Sequence, residues 1–135
     1  MRSTASFIVR RAIGRDAKAR MSCLIVDDSE EFATSASRLL GSQGIEVVAS
    51  AFSGAEALEL VAALRPDVAL VDVELGDEDG ILLSHELAAR APSTRIVLVS
   101  SYDRDDLAHL VAHSPAVGFL PKSELGAAAI ERLIG

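Results

Sequence analysis

The sequence predicts a doubly wound α/β domain, and three observations carry that prediction. Short apolar runs, most of them rich in Val and Ile, recur five times, with starts about 20 to 28 residues apart. Helix-length amphipathic segments with start and stop residues lie between them. The runs are apolar at nearly every position, the pattern of strands buried on both faces of a helix-covered parallel sheet.

Taken in order, Cys23-Leu24-Ile25-Val26 forms the first strand. A helix over Ser29 to Leu40 follows, with Phe32, Ala36, Leu39 and Leu40 on one face and Gly41 and Gly44 at its end. Glu46-Val47-Val48-Ala49 forms the second strand. Ser53-Gly54-Ala55-Glu56 has capping-box spacing and opens a helix containing Ala57, Leu58, Val61 and Leu64, which Pro66 closes. Val68-Ala69-Leu70-Val71 is the third strand. Asp79 caps the third helix, with Ile81, Leu82, Leu87 and Ala88 inward, before Pro92. Ile96-Val97-Leu98-Val99 is the fourth strand, and Asp103 caps a fourth helix holding Leu107, Leu110 and Val111. Val117-Gly118-Phe119-Leu120 is the fifth strand. Ser123 caps a fifth helix whose apolar residues are Leu125, Ala129, Ile130, Leu133 and Ile134. With right-handed crossovers, the order that best suits a five-stranded chain is 2-1-3-4-5, the flavodoxin-like arrangement.

Composition narrows the class. Half the residues are hydrophobic but only 4% are aromatic, so Ala, Val, Leu and Ile must fill the core. The single Cys23 excludes an intrachain disulfide and a multi-cysteine zinc site, and favours the reducing cytoplasm. No apolar run approaches the ~18 residues of a membrane span. Charge divides the chain near residue 21: residues 1–20 carry six Lys/Arg and one acid, and the remainder seven Lys/Arg and nineteen acids. So acidic a body is a poor nucleic-acid binder. Residues 1–20 are expected to be a disordered basic extension, with Met21 a natural start for the folded unit of residues 21–135. An extra amphipathic helix and a membrane-surface or targeting segment are the alternatives.

Ligands of open α/β sheets sit beyond the carboxyl ends of the strands. Asp27 and Asp28 follow the first strand, Asp72 the third, Ser100 the fourth and Lys122 the fifth. The second strand, an expected edge, is followed only by Ala51-Phe52-Ser53. Carboxylates ~4 Å apart repel by about 4 kcal/mol at an effective dielectric near 20, so such a group either raises a pKa or holds a cation. Hard oxygen ligands favour Mg²⁺, and a lysine ammonium suits phosphate. Asp72, standing alone at its strand end, is placed to accept a phosphoryl group as an aspartyl phosphate. His109 and His113 have the spacing of a metal face, but no third ligand is in register.

The segments LIVDDSEEF (24–32), LVDVELGDEDG (70–80), IVLVSS (96–101) and GFLPKSEL (118–125), in this order and spacing, resemble the receiver domain of two-component response regulators. The last segment is most similar to LuxR/NarL-type receivers. The resemblance covers residues 22–134 and implies a receiver fold, with Asp72 as phosphoacceptor and Asp27 and Asp28 as the Mg²⁺ pair. It gives the backbone carbonyl of Glu74 to the metal, and Ser100 and Lys122 to the phosphoryl oxygens. Phe119 matches the aromatic switch position that works with Ser100, and Glu74 and Tyr102 match positions that tune phosphoryl lifetime. One departure is Pro121-Lys122-Ser123, where many receivers have Lys-Pro after the fifth strand. A non-proline cis bond costs roughly 3–4 kcal/mol and is not assumed.

The resemblance further implies a sensor histidine kinase or phosphotransfer protein as donor and an unidentified output protein as target. It also implies a switching face made of the fourth helix, fifth strand and fifth helix, through which homodimers can form. The chain is then either a stand-alone receiver or a fragment of a longer one. It is expected to be a regulatory phosphoacceptor rather than a turnover enzyme. A phosphorylation-independent pseudo-receiver and an aspartate-nucleophile phosphohydrolase are the competing readings.

Overall fold

The computed structural model describes residues 20–101, 108–109 and 111–135. Five parallel strands form one sheet: β1 (Ser22–Val26), β2 (Glu46–Ala51), β3 (Val68–Asp72), β4 (Arg95–Ser100) and β5 (Gly118–Pro121). Their spatial order is β2-β1-β3-β4-β5, the predicted 2-1-3-4-5. The first four strands are connected by the helices α1 (Glu30–Ser42), α2 (Gly54–Leu64) and α3 (Gly80–Arg90). A C-terminal helix, Ala127–Ile134, ends the chain after a 3₁₀ turn over Lys122–Glu124. Residues 108, 109, 111 and 112 are helical and belong to the fourth helix. Its expected cap, Asp103, and its Leu107 and Leu110 lie outside the described residues, as does the extension before Arg20.

Side-chain alternation divides the core between the two sheet faces. Leu24, Val26, Ala69, Val71, Ile96, Leu98 and Phe119 point to one face, under Ala57 and Val61 of α2 and Leu83 and Leu87 of α3. Cys23, Ile25, Val68, Leu70, Val97, Val99 and Leu120 point to the other, under Ala33, Ala36 and Leu40 of α1 and Ala129 and Ile130 of the C-terminal helix. The central strands β1 and β3 are buried throughout, as their unbroken apolar runs require, while the edge strand β2 is half-buried over most of its length.

Three expectations need correction. Leu39 is 41% exposed and Leu82 64% exposed, whereas Ala33 and Leu83 are buried. In α3 the buried face comprises Gly80, Leu83, Ser84 and Leu87, a stripe set by the i, i+3, i+4 period that excludes Leu82. Ser123 does not cap the last helix. It lies in the 3₁₀ turn, and the helix begins three residues beyond Glu124, at Ala127. The Ala127 N–H is satisfied from elsewhere, donating to Gln43 Oε1 at 2.7 Å.

The caps at Ser29, Ser53 and Asp79 are as read. Ser29 Oγ accepts the Phe32 N–H, Ser53 Oγ the Glu56 N–H, and Asp79 Oδ1 the Ile81 and Leu82 N–H groups. Helix α2 ends at Leu64 with Arg65 in the left-handed conformation (φ 45°), since the residue before Pro66 is kept out of the helical region.

Candidate functional site

Register brings the polar residues together. Val26 pairs with Ala51 on one side and Val71 on the other. Asp72 is level with Val99, and Ser100 with Pro121. Asp27, Asp72, Ser100 and Lys122 therefore emerge along one edge, because four neighbouring strands end at nearly the same level. Asp28 joins them on the solvent side.

Asp27, Asp28 and Asp72 each offer a carboxylate oxygen, and these oxygens lie within 4.8 Å of one another. Asp27 is fully buried, Asp72 is buried with its edge open, and Asp28 is exposed. Asp27 Oδ1 accepts the Ser29 N–H at 2.8 Å. Its Oδ2 lies 2.8 Å from Lys122 Nζ as an ion pair, with no aligned hydrogen bond, and is a buried oxygen still able to take a ligand. Asp72 Oδ1 accepts the Glu74 N–H at 3.0 Å, and Oδ2 faces Lys122 Nζ at 3.3 Å.

Burial raises the Asp72 pKa. The Glu74 N–H opposes this, the Asp27 charge adds to it, and Lys122 opposes it. Burial disfavours the Lys122 charge, but Asp27 and Asp72 outweigh it and raise the lysine pKa. Three carboxylates against one ammonium leave an excess of negative charge. The donor set is all oxygen, one oxygen is buried without an aligned donor, and one acid opens to solvent. That set fits a hard divalent cation that keeps several waters.

The loop after β3 is shaped to carry the site. Glu74–Leu75 and Glu78–Asp79 pair as an antiparallel hairpin, with Gly76 (φ 59°) opening its turn close to Asp28. Gly80 then packs directly on β3, its N–H donating to Val73 O at 2.8 Å. A methyl group on Gly80 would coincide with the Asp72 carbonyl oxygen. Glu78 reaches across to accept the Gly54 N–H at 3.0 Å, tying this loop to the start of α2.

The remaining predicted residues fall as follows. Glu74 directs its N–H to Asp72 and its side chain is exposed. Ser100 is buried at the end of β4. Phe119 is 6% exposed within the core, so its ring occupies an inward position. Tyr102 lies outside the described residues. His113 Nδ1 sits 2.8 Å from the His109 carbonyl oxygen, a local contact within the fourth helix. The sequence reading assigned Phe32 only to a helix face. Its ring in fact lies over Lys122 Nζ, 4.3 Å from centroid to nitrogen.

A parallel sheet of this order, with an acidic cleft and a lysine at its carboxyl edge, defines a class of regulatory α/β domain. Residues 23–133 match the response regulator receiver domain, and the chain belongs to that family. It is 38% identical over 103 residues to the DNA-binding transcriptional activator DevR/DosR of Mycobacterium tuberculosis, a match covering 76% of this chain and 48% of that one. Its fold matches the signal receiver domain of NarL from Mycobacterium tuberculosis with a TM-score of 0.74 at 30% identity, covering 86% of this chain and 98% of that one. A response regulator from Burkholderia pseudomallei, solved with a phosphorylated aspartic acid, a calcium ion and citrate, matches with a TM-score of 0.74 at 28% identity, covering 85% of this chain and 66% of that one. The chain spans about half the length, or less, of the curated relatives it matches. The family is that of two-component, phosphorylation-based signalling, and its fold is a regulatory phosphoacceptor fold. Among the described residues no helix is long and apolar enough to cross a membrane.

Proposed function

We propose that Asp72 accepts a phosphoryl group from a phosphohistidine on a sensor kinase or phosphotransfer protein. An Asp72 carboxylate oxygen attacks phosphorus, the N–P bond breaks, and the histidine nitrogen keeps the electron pair and takes a proton. The observation that carries this reading is the Asp72 carboxylate itself. It is held by the Glu74 N–H on one oxygen and faced by Lys122 on the other, within reach of two further acids. Asp27, Asp28 and Asp72 would hold Mg²⁺, with the Glu74 backbone carbonyl as a further ligand, and the ion would offset charge on the transferring oxygens. Lys122 pairs with a phosphoryl oxygen after transfer, and Ser100 donates its hydroxyl to another. The phosphorylated aspartate and calcium ion described for the Burkholderia pseudomallei relative support this chemistry.

The added charge biases a two-state element. Drawing Ser100 toward the phosphoryl group alters the space beside β5, where Phe119 is buried here. The switch is then an exchange between this inward ring position and an outward one, read on the face formed by the fourth helix, β5 and the C-terminal helix. An output protein or a second copy would bind that face. Glu74 and Tyr102 would tune the lifetime of the anhydride, residues 1–20 would form an extension outside the receiver unit, and the setting would be the cytoplasm.

Incubation with Mg²⁺ and a small phosphodonor, followed by intact mass, tests the reading. The parent should gain one phosphoryl group and Asp72→Asn none. A parent that stays unmodified is a phosphorylation-independent interaction module, and steady release of phosphate from phosphoesters would make it a hydrolase.

A further inference from the structure

A closed circuit of contacts runs from Asp27 through α1 and back. Asp27 Oδ1 accepts the Ser29 N–H at 2.8 Å. Ser29 Oγ accepts the Phe32 N–H at 3.1 Å, fixing the first turn of α1. The Phe32 ring lies 4.3 Å from Lys122 Nζ, and Lys122 Nζ lies 2.8 Å from Asp27 Oδ2. Phe32 is only partly buried, and the Lys122 side chain is 20% exposed. The ring therefore covers part of the approach by which water would reach the ammonium.

We propose that Phe32 is a positioning residue for phosphoryl transfer, its ring face holding the Lys122 ammonium over the cleft while the anions around that ammonium change. This inference rests on the phosphoacceptor reading of Asp72 given above.

The physical reason lies in what transfer does to the partners of Lys122. Before transfer the ammonium answers to two carboxylates, Asp27 at 2.8 Å and Asp72 at 3.3 Å. After transfer Asp72 carries the phosphoryl group as a mixed anhydride, and the negative charge has moved outward onto the phosphoryl oxygens. A lysine on a flexible four-carbon stem, held by anions alone, is then divided between Asp27 and the phosphoryl oxygens with nothing to fix its place over the cleft. An aromatic face attracts the cation through its quadrupole and offers no lone pair that competes for the phosphoryl group. It also tolerates sliding of the ammonium across the ring. The contact thus keeps Lys122 poised without fixing it to either anion. Ser29 contributes at one remove, by capping the turn that carries the ring.

The test compares the parent with Phe32→Leu, which keeps apolar contact but removes the ring face, and Phe32→Tyr, which restores it. The rate of phosphorylation by a small phosphodonor is measured at saturating Mg²⁺, and the proton shift of the Lys122 ε-methylene is read by NMR. We expect an upfield, ring-shifted ε-methylene in the parent and Phe32→Tyr, but not in Phe32→Leu. The rate should fall about fivefold in Phe32→Leu, the equivalent of one partly exposed cation–π contact, and recover in Phe32→Tyr. Phe32→Met replaces the leucine variant if the latter is not fully folded. Equal rates in parent and Phe32→Leu, equal slowing in Phe32→Leu and Phe32→Tyr, or an ε-methylene shift that ignores the ring each overturn the inference. A parent that never gains the adduct overturns the phosphoacceptor reading instead, and this inference falls with it. The NMR shift still reports on the contact in that case, so the two failures are distinguishable.

Discussion

Replacing Lys122 with methionine removes a charge that two buried carboxylates face and leaves the apolar stem. Asp27, with no exposed side-chain surface, would lose an ammonium 2.8 Å away, and Asp72 one 3.3 Å away. Removing one partner of a fully buried ion pair costs about 3–5 kcal/mol, because the remaining charge stays desolvated. Lys122 is 20% exposed, so water can enter the gap, and we expect less than that, about 2–3 kcal/mol, in the absence of divalent ions. In urea unfolding at neutral pH that loss should lower the midpoint by roughly 1–2 M for a domain of this size. Saturating Mg²⁺ brings two positive charges to the same oxygens, so the difference between Lys122→Met and the parent should at least halve. A cost of about 0.5 kcal/mol or less, the ordinary range for a surface change, would refute the burial of this charge cluster. A cost identical with and without Mg²⁺ would refute the shared use of the carboxylates by lysine and metal.

Three further outcomes follow from the same geometry. Gly80→Ala places a methyl on the Asp72 carbonyl, a backbone atom that cannot rotate away. It should cost about 3 kcal/mol in urea unfolding and weaken Mg²⁺ binding, whereas a cost of about 1 kcal/mol or less would mean that α3 shifts freely on β3. Burial raises the Asp72 pKa, so its contribution to stability is fully present where the carboxyl is protonated and is lost as pH rises through the folded pKa. Without divalent ions, Asp72→Asn should therefore exceed the parent in urea midpoint at neutral pH, and the gap should close on acidification; a widening gap would contradict the sign. Burial pushes the Cys23 thiol up to about 12, so labelling by a thiol reagent at mildly alkaline pH should follow global unfolding, and rapid labelling of the folded protein would show that β1 opens locally.

The sheet was legible because buried parallel strands need apolar residues along their length, and Cys23 to Val26, Val68 to Val71 and Ile96 to Val99 supply them without a break. The acids and lysine at the strand ends were legible for a related reason. Once the strand order is known, equal strand ends put Asp27, Asp72 and Lys122 at one edge. Helix phase was less so. Leu39 and Leu82 are as apolar as their buried neighbours, and one residue of rotation decides which faces the sheet. The start of the last helix was missed because its donor is satisfied by Gln43, distant in sequence. The aromatic contact on Lys122 escaped for the same reason: a phenylalanine four residues after Asp28 reads as core, and only the fold lets the lysine in the turn after β5 reach the ring at the start of α1. The Phe32 signal was present in the segment DDSEEF, but its meaning was tertiary.

Borohydride reduction of the phosphodonor-treated protein tests the central claim most directly, because it converts an acyl phosphate to an alcohol and leaves free carboxylates untouched. Peptide mass spectrometry should then find homoserine in place of aspartate at residue 72 alone, only when Mg²⁺ was present, and at a reduced yield in Lys122→Met. Reduction at Asp27 or Asp28, or an unreduced Asp72 in a chain that carries the phosphoryl mass, would contradict it.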